Sequence, residues 1–238
     1  MRCVLPLPSR EAAGRALATA LGPQCAGPDV LVLALPRGGV PVGFEIAQAM
    51  GAELDLLLVR KLGMPGDPEL ALGAIAAGGF RVLNPDLLAL AGLDDAALAR
   101  LEALEVAELE RRALRYRGHR APPVWRGRRV LLVDDGIATG ATMQAAVAAA
   151  RAGGPAQLWV AVPVASRHAC AALAPEVDGL VCLATPEPFG AVAQFYADFP
   201  QIQDEAVVAL LARAWRVEPA AAGQTLASNP PGRGKQTP

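Results

Sequence analysis

The chain has 238 residues, of which 53% are hydrophobic, 19% charged and only 4% aromatic, with a net charge of −1. This excludes whole-chain disorder, which needs low hydrophobicity and high net charge, and it predicts an aliphatic core. It also removes any global electrostatic attraction to nucleic acid or to an anionic membrane surface.

In chain order, Arg10, Glu11 and Arg15 interrupt the apolar stretch a signal peptide would need, and Ser9 is placed to cap a helix running to about Leu21. Val30 to Leu35 is an unbroken aliphatic run, fit for a strand buried on both faces. It ends in Pro36-Arg37-Gly38-Gly39, and a helix from about Val40 to Met50 follows. Leu54 to Arg60 reads as a second buried strand. Lys61 to Pro68 holds two glycines and two prolines, which predicts an exposed, mobile loop rather than regular structure.

Gly73 to Asn84 reads as two short strands around Gly78-Gly79. Asp94 to about Gly118 is a long helix with an apolar stripe at Leu98, Leu101, Leu104, Leu109 and Ala113. Val130 to Val133 is a third buried strand, followed by a helix over about Ala141 to Ala152. Leu158 to Val164 and Val177 to Leu183 are further strands, with a helix near Arg167 to Leu173 between them, and a last helix spans about Asp204 to Trp215. Strands alternating with helices predict an α/β fold, a doubly wound and mainly parallel sheet. One domain is expected over residues 1–217, with a helical insertion or hood over about 78–126 and a disordered tail over 218–238. No run of about 18 uncharged apolar residues predicts a membrane span. Cys3, Cys25, Cys170 and Cys182 lie far apart without a Cys-x-x-Cys pair, which argues against structural zinc and a disulfide framework. The composition thus predicts a soluble, reduced, cytoplasmic protein.

The chemistry concentrates in Val130-Leu-Leu-Val-Asp-Asp-Gly-Ile-Ala-Thr-Gly-Ala-Thr142. A buried strand delivers Asp134 and Asp135 to its C-terminal end, where open α/β sheets bind ligands. Gly136 to Thr142 then opens a helix, with two glycines for the turn and the hydroxyls of Thr139 and Thr142. Free N–H groups at a helix start attract phosphate. Carboxylates beside a phosphate repel it unless they address something else, such as the vicinal hydroxyls of a sugar or a metal ion. A ribose 5-phosphate satisfies every part of this loop.

These thirteen residues resemble the phosphoribosyl-pyrophosphate signature of type I phosphoribosyltransferases. The resemblance implies that Asp134 and Asp135 hold the ribose hydroxyls, and that Gly136, Ile137, Ala138, Thr139, Gly140, Ala141 and Thr142 bind the 5-phosphate. It further implies that Arg37, Gly38 and Gly39 bind pyrophosphate, in a loop that often carries an unusual cis peptide. Arg60 and Lys61, at the root of a closing loop, join them there, and Glu69 in the loop body is a further candidate. The catalytic set so implied is Arg37, Lys61, Asp134 and Asp135. The order of these segments, through Pro68-Glu-Leu-Ala-Leu-Gly-Ala-Ile75 to Tyr196-Ala-Asp-Phe199, resembles an uncharacterised branch of the family over roughly residues 9 to 215. Ala138 stands where hypoxanthine-guanine enzymes carry an aspartate that handles the base proton, which argues against that purine mechanism.

The activity implied is displacement of pyrophosphate from phosphoribosyl pyrophosphate by a nitrogen acceptor, a nucleobase first, in nucleotide salvage. Mg²⁺ is expected as cofactor, bound through the substrate and by no direct protein ligand. The alternatives are a non-catalytic regulatory protein of the same fold that binds phosphoribosyl pyrophosphate or a nucleotide, and a salvage enzyme running in reverse. Neither membrane nor nucleic acid is an expected partner, and a homodimer is compatible with the sequence. His119 and His168 are isolated surface histidines in this reading. The arginines from Arg111 to Arg129 are expected on a solvated helix face balanced by Glu102, Glu105, Glu108 and Glu110. Phe189, Phe195, Tyr196 and Phe199 suit either a hood over an acceptor base or packing of the last helix.

Overall fold

The computed structural model describes residues 4–65, 67–77 and 79–216. The chain begins with helix α1 (Arg10–Leu21), whose N-cap Ser9 accepts a hydrogen bond from the Ala12 N–H, as its sequence position predicts. Strand β1 (Val30–Ala34) leads into α2 (Gly39–Met50), β2 (Glu53–Leu56), β3 (Val59–Met64), β4 (Asp67–Ala76) and β5 (Phe80–Leu83). Helices α3 (Pro85–Ala91) and α4 (Asp95–Arg117) precede β6 (Arg129–Val133), α5 (Ala141–Ala152), β7 (Gln157–Val164), α6 (Arg167–Leu173), β8 (Gly179–Ala184) and α7 (Asp204–Ala214).

Five strands form a parallel sheet in the order β2-β1-β6-β7-β8. Helices cover both faces, which is why its central strands are uninterrupted aliphatic runs. Successive residues serve opposite sides. Val32, Ala34, Leu131 and Val133 face a cluster with Leu17 of α1, Ile46 of α2 and Leu211 of α7. Leu31, Leu33, Val130 and Leu132 face a second cluster with Met143 and Ala146 of α5 and Leu173 of α6. The sheet is therefore doubly wound. The chain leaves β1 toward β2 on one side and returns at β6 on the other, so the topological switch point lies between β1 and β6. The loops after those two strands open side by side there.

Three expectations are corrected here. The run Leu54 to Arg60 is not one strand: β2 ends at Leu56, and Val59 and Arg60 begin a separate three-stranded antiparallel sheet, β3-β4-β5. The segment expected as an irregular loop over 61–68 is largely the β3–β4 hairpin, with register shifts at Leu62/Gly63 and Gly63/Met64. Gly63 punctuates a bulged ladder instead of preventing one. The long helix is present at Asp95–Arg117, but its stripe is narrower than its leucines suggested. Leu109 is buried, whereas Leu104 is 73% exposed. The tail over 218–238 lies outside the described residues, as does the side chain of Glu69.

Candidate active site

The loop after β1 and the loop after β6 touch through glycine. A Cβ on Gly38 would lie 1.9 Å from Asp135 Oδ2, and one on Gly39 would lie 2.5 Å from the Val133 carbonyl oxygen and 2.9 Å from Asp134 Cα. Only glycine lets these two segments approach so closely. The Pro36–Arg37 peptide is cis. The close approach sets Gly38 and Gly39 directly against the acid pair at the switch point.

Asp134 and Asp135 share one desolvated corner but differ in their partners. The Arg10 Nε donates to Asp135 Oδ2 at 2.7 Å, and the Tyr196 hydroxyl donates to the Asp135 carbonyl oxygen at 2.6 Å. The Asp134 Oδ1 accepts from the Asp135 N–H at 2.8 Å. Burial and the adjacent Asp135 charge push Asp134 well above the usual carboxylate range. Burial also raises Asp135, and there the Arg10 guanidinium opposes the shift.

Beyond the acids, the Ile137 N–H donates to the Val164 carbonyl at 2.9 Å, and the Ser166 N–H donates to the Ile137 carbonyl at 2.9 Å. The Ser166 hydroxyl donates to the Ala138 carbonyl at 2.6 Å. These bonds pin the loop to the start of α6. Gly140 takes the left-handed conformation, with φ +89°, and brings no side chain to cap α5. The first-turn N–H groups of α5 thus point out of the helix start beside the exposed Thr139 and Thr142. Residues 138–142 form a cradle with the electrostatics an anion needs.

A family model described as the phosphoribosyl transferase domain matches residues 4–199. The chain belongs to the phosphoribosyl transferase family. A provisionally named phosphoribosyl transferase of Mycobacterium tuberculosis (strain H37Rv) is 48% identical over 227 residues. That match covers 95% of this chain and 51% of the mycobacterial protein, so the chain spans about half the length of that relative. The crystal structure of TT1426 from Thermus thermophilus superposes with a TM-score of 0.79 at 45% identity, covering 90% of this chain and 99% of that one.

In this phosphoribosyl transferase domain the sequence-predicted residues do not all converge. Arg37, Gly38, Gly39, Asp134, Asp135 and the loop 136–142 meet at the switch point. Ile137 contributes differently from expectation: its N–H is committed to Val164 and its side chain is buried, so it anchors the cradle. Gly136 likewise serves packing, since a Cβ there would lie 2.5 Å from Val192 Cγ1. Arg60 and Lys61 are successive strand residues and face opposite sides of the hairpin. The Arg60 Nε pairs with Glu105 Oε2 of α4 at 2.5 Å. Lys61 shares its face with Val59, which packs against the cluster containing Met143 and Ala146 of α5. The two do not act as a pair; Lys61 lies on the side of the helix that carries the cradle.

The aromatic residues near the C-terminus do not pack α7, whose Val207 and Leu211 belong to a different cluster. They join Leu7, Ala13 and Val164 in a small cluster under α1, with Tyr196 and Phe199 4.9 Å apart. Sequence reasoning missed three contributors. Arg10 reaches Asp135. Asp204, at the start of α7, lies 3.8 Å from Arg37 Nη1 and accepts from the Tyr116 hydroxyl at 2.8 Å. Arg112 of α4 meets Pro36, Val59 and Thr142 around a cavity of about 30 Å³ beside the cradle. Only Arg10 left a signal in the sequence: a cation in the first turn of a helix opposes the helix dipole.

Among the described residues no group of three or more His, Cys, Asp or Glu is arranged to hold a metal. Of the acid pair, Asp135 Oδ2 is already engaged by Arg10. Among the described residues no helix is long and apolar enough to cross a membrane.

Proposed function

We propose that the protein transfers the phosphoribosyl group of phosphoribosyl pyrophosphate to a nitrogen acceptor, a nucleobase in the first instance, with release of pyrophosphate. The observation that carries this reading is the contact of the Gly38-Gly39 loop with the Asp134-Asp135 pair, directly ahead of the uncapped α5. A 5-phosphate in the cradle over residues 138–142 sets the ribose with its hydroxyls against the carboxylates. C1 and its pyrophosphate are then directed toward Arg37 and the Gly38-Gly39 backbone. The C1–O bond to pyrophosphate breaks, the C1–N bond forms, and the proton on nitrogen is released.

Positive charge develops on the ribose as negative charge develops on the leaving group. Asp134 and Asp135 address the first, Arg37 and Lys61 the second. Mg²⁺, brought in with the substrate, would supply neutralisation of the leaving group's charge beside Arg37 and Lys61. Holding the ribose and pyrophosphate by separate loops fixes C1 between them, the positioning that such a displacement needs.

The test is pyrophosphate release from phosphoribosyl pyrophosphate with Mg²⁺ across a panel of free bases and amines, in wild type and Lys61→Ala. Lys61→Ala should lower kcat by a factor of about 10²–10³ while substrate Kd changes much less. Tight binding with no release for any acceptor would overturn the enzyme reading and leave a regulatory protein that senses phosphoribosyl pyrophosphate.

A further inference from the structure

Arg10 is 6% exposed and is the first residue of α1. A cation at a helix N-terminus is electrostatically unfavourable, so its place is not explained by helix stability. Its guanidinium is fixed on three sides. The Nε donates to Asp135 Oδ2 at 2.7 Å, Nη1 donates to the Pro200 carbonyl at 2.8 Å, and Cζ lies 3.6 Å from the centroid of the Phe199 ring. The Tyr196 hydroxyl holds the backbone of Asp135 from the same segment, and Tyr196 and Phe199 stack 4.9 Å apart. Among the described residues no cation is paired in this way with Asp134, its neighbour in the chain.

We infer that Arg10 is a positioning residue for the ribose-binding acid: fixed by Phe199 and Pro200, it occupies Asp135 Oδ2 and turns Oδ1 alone toward the sugar hydroxyls. The inference rests on the assignment of Asp135 to the ribose, which it deepens by giving the two acids unequal roles. Asp135 is an acceptor held in one orientation. Asp134, desolvated and beside another carboxyl, has no such cation on it among the described residues and is raised further. The ionisable and charged groups facing Asp135 are Arg10 from α1, Asp134 on its own loop, and the Tyr196 phenol at its carbonyl. Of these Arg10 alone is cationic, so it is the group that opposes the upward push of burial on Asp135. Phe199 and Pro200 act in turn on Arg10. The flat guanidinium needs both the ring below and the carbonyl at its edge, a geometry an ammonium cannot reproduce.

The experiment compares wild type, Arg10→Gln and Arg10→Lys. The readouts are the Kd of phosphoribosyl pyrophosphate with Mg²⁺ from pH 5 to 9 and ¹³C-carboxyl titration of Asp135. In Arg10→Gln the acid limb of binding should move up by at least about one pH unit, with a matching rise in the Asp135 midpoint. Arg10→Lys should restore most of the pH limb but not the full affinity at pH 8, because charge returns without the fork. A merely structural role would lower the melting temperature and leave the limb in place. A folded Arg10→Gln whose binding limb and Asp135 midpoint match wild type overturns the inference. If wild type does not bind phosphoribosyl pyrophosphate, the ribose assignment fails, and the Asp135 midpoint still decides whether Arg10 opposes the upward push of burial.

Discussion

The two adjacent aspartates show how one residue type takes two behaviours from its surroundings. Asp134 has its carboxyl raised well above the usual range by burial and by its neighbour. A carboxyl raised on folding contributes stability below its unfolded value near 3.9, and loses it as pH rises through its folded value. Asp134→Asn keeps an oxygen to accept from the Asp135 N–H and removes that ionisation. It should therefore raise the melting temperature at pH 8, by roughly 2–4 °C for each kcal/mol relieved, with little change at pH 4. The same change should weaken phosphoribosyl pyrophosphate binding by about 1.5–3 kcal/mol if a charged hydrogen bond to the ribose is lost. Melts at both pH values beside calorimetry would check this. A lower melting temperature at pH 8 would contradict the electrostatic account. Gly39→Ala tests the contact behind the pair: its Cβ would meet backbone, at 2.5 Å from the Val133 carbonyl oxygen, so stability and binding should fall together. Wild-type affinity in that variant would show that the two loops do not need their close approach.

At the scale of elements, α4 is the piece whose position is least obvious from its own sequence. Its charges are satisfied across the fold more than along the helix. Glu105 takes Arg60 and Glu102 takes Arg81 from the small sheet, Arg115 pairs with Glu205 of α7, and Glu108 takes Arg111 and Arg112 from its own helix. The expected balance of the arginine-rich stretch by glutamates is thus present, but much of it is intersegmental. The C-terminal end is fixed by a buried pair, Arg117 Nε to Asp55 Oδ1 at 2.6 Å, with a further bond from Arg117 to the Leu56 carbonyl. Burial pushes the Asp55 carboxyl up, and Arg117 opposes the shift. Arg117→Met should cost about 3–5 kcal/mol in urea unfolding, because it strands a buried carboxylate. The double variant Arg117→Met with Asp55→Leu should recover most of that loss. A double variant as unstable as the single would mean that the pair is needed for packing rather than charge.

For the whole molecule, the parallel sheet and its two aliphatic clusters form a scaffold, and the site is the place where that scaffold changes direction. A ligand that ties the loop after β1 to the loop after β6 should stabilise the entire sheet. Phosphoribosyl pyrophosphate with Mg²⁺ at about 100 times its Kd should add about 2.7 kcal/mol. For a chain of this size that amounts to about 5–11 °C in melting temperature. Ribose 5-phosphate alone should give a smaller rise, and millimolar phosphoribosyl pyrophosphate without any shift would remove the site assignment.

The local pieces of this protein were legible in neighbouring residues. Val30 to Leu35 and Val130 to Val133 read as doubly covered strands, Ser9 as a helix start, and Asp134 to Thr142 carried its turn glycines and hydroxyls within nine positions. Short-range chemistry of that kind is written in neighbouring residues. The tertiary structure alone decided which distant residues meet. Arg10 and Asp135 are 125 positions apart, Arg117 and Asp55 are 62 apart, and no spacing rule links either pair. Tertiary pairing also turned the Gly- and Pro-rich segment into a hairpin, since its backbone groups find partners only across to β4 and through it to β5. The same placement separated Arg60 from Lys61, because strand alternation sends adjacent side chains to opposite faces, one toward α4 and the other to the face that packs on α5.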